Sequence, residues 1–367
     1  MTKHRLMLSA ATAALLAAPL TISAAHAAAT TITDTRKAAI NTTTLGDITI
    51  STGGVDIKAA SPAVTINSNN FLLNQGSISN QNTAGAIGIL VDTTAGDIVN
   101  SSGITNLGSI NLTGNGTGKS ALVIQGGHTF FAPITFSNVV SVVGSTVAGS
   151  SVSVIGDTSN IFTLVQGTTI DGDVTMGGTM VLSASDKSTS FGNTAVDIEG
   201  NLQGNFIIGQ GATLTSVGNQ ARGIVVLGPI TACVNNAGNG YTCANSGTAT
   251  ASTGTFANFG SIAVLGTINP NRKGGNFESG SAIVIGNSIA GGFLNAGPST
   301  SNGVTPSATI SGNGAVINSS NGSLFAPVVL IDPSQTISSL NPTVRGPAIL
   351  GPVGTQIDPV DGGKGYG

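Results

Sequence analysis

One degenerate phrase recurs along this chain, and it restricts the fold more than any other feature. Residues 195–211, 223–238 and 282–297 each give an apolar run, a Gly corner, an isolated Leu or Ile, a small or Gly step, a second short strand and a closing Gly. Residues 88–103 form a looser copy. A shorter phrase accompanies these units, as Asn106-Leu107-Gly108-Ser109-Ile110 and Asn258-Phe259-Gly260-Ser261-Ile262, with Gln75-Gly76-Ser77-Ile78 as a shorter relative. No phrase is long enough to bury its own apolar face. Stacked at ~4.8 Å, the phrases make each backbone ladder continuous and each apolar side chain part of a column. The expected fold is therefore all-β, a single-stranded right-handed parallel β-helix. Rungs of roughly 20–25 residues are expected. At that length residues 28–330 would make ~14 coils and a rod ~65 Å long. Residues 235–252, 269–280 and 297–306 break the texture and read as inserted loops.

Composition agrees with strands and tight turns. Charged residues are 7% of the chain while hydrophobic residues are 40%, whereas disorder needs low hydrophobicity with high net charge. The 53 glycines, with many Asn and Ser, suit corners, and Val, Ile and Thr suit the pleat. No stretch after Ala28 carries a capped helical period, which leaves room only for short helical turns. Basic residues are scattered, with Arg36-Lys37 and Arg272-Lys273 the adjacent pairs. A nucleic-acid partner needs a clustered basic face, so none is expected.

The N-terminus reads as an export signal. Lys3, His4 and Arg5 precede an uncharged run from Leu6 to Ala25, and Ala25-His26-Ala27 supplies the small-x-small pattern of a cleavage site. Cleavage is placed between Ala27 and Ala28, with the Sec machinery and signal peptidase as partners. Cleavage removes Lys3 and Arg5 and leaves a net charge of about −5, since 10 basic residues face 15 acidic ones. Three segments follow: a signal peptide over 1–27 with a signal helix, a repeat domain over 28–330, and a Pro/Gly-rich tail or linker over 331–367. Pro333, Pro342, Pro347, Pro352 and Pro359 remove ladder donors from that tail. Cys233 and Cys243 flank a turn-rich stretch, and in an exported chain such a pair is expected to close a local disulfide.

The Ile-x-Gly-x-(Leu/Ile)-x-Gly units, the Asn-x-Gly-Ser-Ile phrases and the signal together resemble passenger domains of alphaproteobacterial autotransporters, over about residues 28–330. The resemblance implies a β-helix carried to the cell surface or outer membrane of a Gram-negative-type bacterium, or secreted, where such modules usually act as adhesins or surface structures. It also implies an outer-membrane translocator barrel of roughly a dozen strands. This chain departs from that pattern: with 12 Phe, 2 Tyr and no Trp it cannot furnish the aromatic girdles, so the expectation is a truncated passenger, a barrel carried on another reading frame, or another route of secretion.

Catalytic chemistry is sparse. His128, in Gly127-His128-Thr129, reads as a turn or surface histidine, and no Gly-x-Ser-x-Gly elbow precedes a helix. Asp197 and Glu199 flank Ile198 and would share the outward face of a strand; they read as solvent-facing acids. A rival reading makes them the carboxylates of a secreted β-helix carbohydrate-active enzyme. Asp171-Gly172-Asp173 lacks the ligand set of a calcium loop. No metal or cofactor is expected, and the reading is a non-catalytic structural or adhesin-like module with an unidentified surface ligand and self-association through open strand ends.

Overall fold

The computed structural model describes residues 28–295 apart from 60–61, 82–83, 115, 138–139, 143–144, 148, 185–192, 220, 235–253 and 268–280. It also describes 309–312, 317–319, 322–324 and 329–331. The expected signal helix and most of the expected loops and tail lie outside these residues.

The described chain is a parallel β-helix. Three nine-stranded parallel sheets run its length, and a fourth sheet of five strands joins them partway. Each coil passes through them in the same order. One coil enters sheet A at Ile104–Asn106, sheet B at Ser109–Thr113, sheet C at Ser120–Gln125 and sheet D at Thr129–Phe131, and regains sheet A at Ile134–Phe136. In the first coil a single helical turn, Thr42–Leu45, takes the place of sheet D. Asn41 caps it, its side-chain oxygen accepting from the Thr44 amide at 2.9 Å.

Alternation along each strand sends every second side chain inward. Sheet A stacks Ile48, Leu72, Ile104, Ile134, Val174, Phe206, Phe256 and Phe293 in register. The last three rings pack edge to face, with centroids 5.3 and 5.0 Å apart. Sheet B contributes the column Val55, Ile78, Ile110, Val152, Met180, Leu214 and Ile262. Sheet C contributes Val64, Ile89, Leu122, Phe162, Val196, Ile224 and Ile283. These side chains are essentially inaccessible to solvent and form one continuous core. Each buried side chain of this kind contributes about 1.5–3 kcal/mol, and each needs the coils above and below to do so.

The Asn-x-Gly-Ser-Ile phrase turns out to be the corner from sheet A to sheet B. Its Asn points inward and joins a ladder: Asn74 Nδ2 donates to Asn106 Oδ1 at 2.6 Å, and Asn258 Nδ2 to Asn295 Oδ1 at 2.7 Å. The Gly sits where coils nearly touch, since a Cβ on Gly108 would lie 2.1 Å from the Gly76 carbonyl oxygen. The Ser opens sheet B, and the Ile is its first core residue.

The coil is longer than the repeat texture predicts. Asn74 and Asn106 are 32 residues apart, as are Asp173 and Asn205, and Asn258 and Asn295 are 37 apart. In the two 32-residue coils the cause is sheet D with its two extra corners; the coils from Thr30 to Ile48 and from Ile48 to Leu72, which lack it, are 18 and 24 residues long. The described helix therefore has nine rungs instead of ~14, and its ladders span ~38 Å.

Candidate functional site

Sheet C has an unusual outer face. Its outward column reads Leu90, Val123, Thr163, Asp197, Val225 and Val284. Most of its members are apolar and nearly inaccessible: Leu90 is 8% exposed, Val123 7%, Val225 2% and Val284 0%. Strands buried on both faces show unbroken apolar runs, which accounts for Ile89-Leu90-Val91 and Ile283-Val284-Ile285.

Asp197 sits within this column, between Thr163 and Val225. The sequence places it outward with Glu199 around buried Ile198, and the structure agrees on direction. It differs on environment. Both acids are half-buried, not solvated, and Asp197 Oδ1 is enclosed without a hydrogen-bond partner. Burial, reinforced by the neighbouring Glu199 and opposed by Arg222, pushes the Asp197 carboxyl up to about 6. Burial also raises Glu199, against the Arg222 charge and a Gln166 amide that donates to it. Arg222 is held by Nε donating to Thr194 Oγ1 at 3.1 Å. Such an arrangement can hold and release a proton near neutral pH.

A second group lies on the outer face of sheet D. Asp171 and Asp173 flank Gly172 and are 1% and 3% exposed. Asp171 Oδ1 accepts from the Val234 amide at 3.1 Å and lies 2.8 Å from Cys233 Sγ. Burial raises its carboxyl to about 6, partly offset by the Val234 amide. Asp173 Oδ1 accepts from the Asn205 amide at 2.8 Å, and Asn205 Oδ1 accepts from the Thr255 amide at 3.0 Å. The two aspartates thus hold described residues on either side of 235–253: Asp171 takes the Val234 amide, and Asp173 orders Asn205, which takes the Thr255 amide. Cys233 is disulfide-bonded. Cys243 lies outside the described residues, as does Ala27; Ala28 is exposed just ahead of the first strand, Thr30–Ile32.

His128 is half exposed, with Nδ1 3.9 Å from Asp97 Oδ1. Its amide donates to Thr93 Oγ1 and its carbonyl accepts from the Thr169 amide, as befits a turn residue. Among the described residues no three His, Cys, Asp or Glu side chains gather as metal ligands.

Lys119 escaped the sequence reading. It is fully buried at the corner from sheet B to sheet C, and its Nζ donates to the carbonyls of Thr113, Gly114 and Ile155 at 2.7–2.8 Å. Three acceptors require three protons, so the geometry holds an ammonium there. Burial lowers its pKa from the usual lysine value. A lone Lys between Gly118 and an apolar run was the only available signal.

The chain matches no family model, no curated protein and no solved structure.

Proposed function

We propose that this chain is an exported, non-catalytic β-helix module of the autotransporter-passenger kind, displayed outside the cytoplasm to present its loops for adhesion or aggregation. One juxtaposition carries the reading: a basic then apolar N-terminus ending in Ala25-His26-Ala27, followed at Thr30 by the first strand of a solenoid. A translocator barrel is its partner in reaching the surface, and a surface ligand or a second copy of the chain is what it meets there. Expression of the full chain in a Gram-negative host tests this. The expected product has Ala28 as its first residue and lies outside the cytoplasm; co-expressed with a translocator barrel it is cleaved by protease added to intact cells, and those cells clump or adhere. An uncleaved protein retained in the cytoplasm would sink the proposal.

A second reading rests on one observation, the raised Asp197 carboxyl beside Glu199. Acids of this type serve as proton donors in glycan cleavage. In a screen of acidic and neutral polysaccharides, turnover by the wild type that is lost in Asp197→Asn would favour this reading over the first.

A further inference from the structure

Sheet B presents an outer face that neither reading uses. One outward column on it carries a hydroxyl in six successive rungs: Ser77, Ser109, Ser151, Thr179, Thr213 and Ser261. Every step of this column is in register, so the hydroxyl-bearing residues repeat every ~4.8 Å over ~24 Å. A second outward column, two residues on and therefore ~6.6 Å away, runs from Ser79 to Ala263. Neither column holds a charge or an aromatic ring over these six rungs. Charge enters the second column only one rung earlier, where Asp56 pairs with Lys37. Ser151, Thr179 and Thr213 are exposed, and their hydroxyls bond to no other described residue.

Each of these features restricts the partner. A Ser or Thr hydroxyl offers one donor and two acceptors, so it can meet a water molecule in either orientation. Residues fixed on backbone ladders have little conformational freedom left to lose on binding. A rigid, regular and neutral set of hydroxyls suits a partner that is itself rigid, periodic and neutral. A charged polymer finds no countercharge here, and a glycan finds no aromatic ring to pack against. An ice surface meets all three conditions: its oxygens are fixed, they repeat regularly, and they carry no net charge. Hydrogen bonding through ordered water is nearly as favourable as a direct bond. We infer that the outer face of sheet B binds ice, each rung setting its hydroxyls against a row of lattice water. Ice binding of this kind needs neither export nor a translocator. Each hydroxyl contributes weakly, and affinity comes from many rungs engaging at once. One bulky side chain that lifts the face from the lattice therefore removes several contacts together.

Slow freezing of a dilute solution of the full chain, with the protein measured in the ice and in the remaining liquid, tests this. Recrystallisation of ice grains is followed in parallel. The wild type should be enriched in the ice and should keep the grains small. Thr179→Tyr, in the middle of the face, should lose both effects. Ser101→Tyr, at an exposed turn between sheets D and A, should retain both. A wild-type chain excluded from the ice would overturn the inference, and so would Thr179→Tyr behaving as the wild type. Exclusion from ice together with retention on insoluble cellulose would assign the face to a neutral glycan instead. The wild-type measurement decides the matter even if a variant folds poorly.

Discussion

Asp56 and Asp197 stand on two sheets of the same β-helix, in the second and the sixth rung, each outward on its strand, yet their acidities move in opposite directions. Asp56 lies on sheet B, where the outward column continues as Ser79, Asn111, Ser153, Val181 and Thr215. Lys37 Nζ reaches it at 2.5 Å and Ser79 Oγ at 2.7 Å, and these partners hold its carboxyl below the usual value. Asp197 lies on sheet C among Leu90, Val123, Val225 and Val284, and burial drives its carboxyl upward. The backbone is the same in both sheets. What differs is whether the outward side chains meet water or are covered, and a carboxylate reports that difference through its pKa.

Placing a new charge on each face should separate them most. Val284→Asp puts a carboxylate where exposure is 0% and should cost about 3 kcal/mol. Ser153→Asp on sheet B should stay within about 0.5 kcal/mol. Urea denaturation of the two variants side by side measures the contrast, and equal costs would erase it. The corner joining the two sheets comes next. Lys119→Met leaves the carbonyls of Thr113, Gly114 and Ile155 without their ammonium and should cost about 2 kcal/mol by the same measurement.

Asp197 itself gives a smaller effect of opposite sign. Its folded pKa is raised, so the folded chain binds the proton more tightly than the unfolded chain does. Its contribution is fully present below about pH 4 and is lost as pH rises through about 6. Asp197→Asn should consequently gain about 1–2 kcal/mol at about pH 7.5, and the gain should vanish towards about pH 4. Denaturation curves at the two pH values check this. Asp56→Asn should do the reverse and least of all. A lowered pKa stabilises the fold above the unfolded value near 3.8 and loses that stabilisation as pH falls through the folded value. With the Lys37 side chain 72% exposed, the loss at neutral pH should stay under about 1 kcal/mol.

Parts of this contrast were readable beforehand. The unbroken apolar runs Ile89-Leu90-Val91 and Ile224-Val225-Val226-Leu227 of sheet C stand apart from the alternating Ser109-Ile110-Asn111-Leu112 and Ser151-Val152-Ser153-Val154 of sheet B, as two-sided burial requires. The outward direction of Asp197 followed from its place beside Ile198. Its burial did not, because Thr163, Val225 and Arg222, which flank it, belong to the coils on either side. Coil length was underestimated because strands as short as Ile98–Val99 and Ile230–Thr231 leave almost no periodic trace, yet they build sheet D.

The sequence alone determined that this chain must stack: strand alternation is local, and phrases such as Asn106-Leu107-Gly108-Ser109-Ile110 carry the core residue, the corner and the ladder in five consecutive positions. Tertiary structure alone decided where each acid would find itself. Asp171 meets Cys233 across 62 residues and Lys119 meets Ile155 across 36. Such encounters depend on the lengths of intervening coils, which no local pattern encodes, whereas the cost of burying a charge depends on little else.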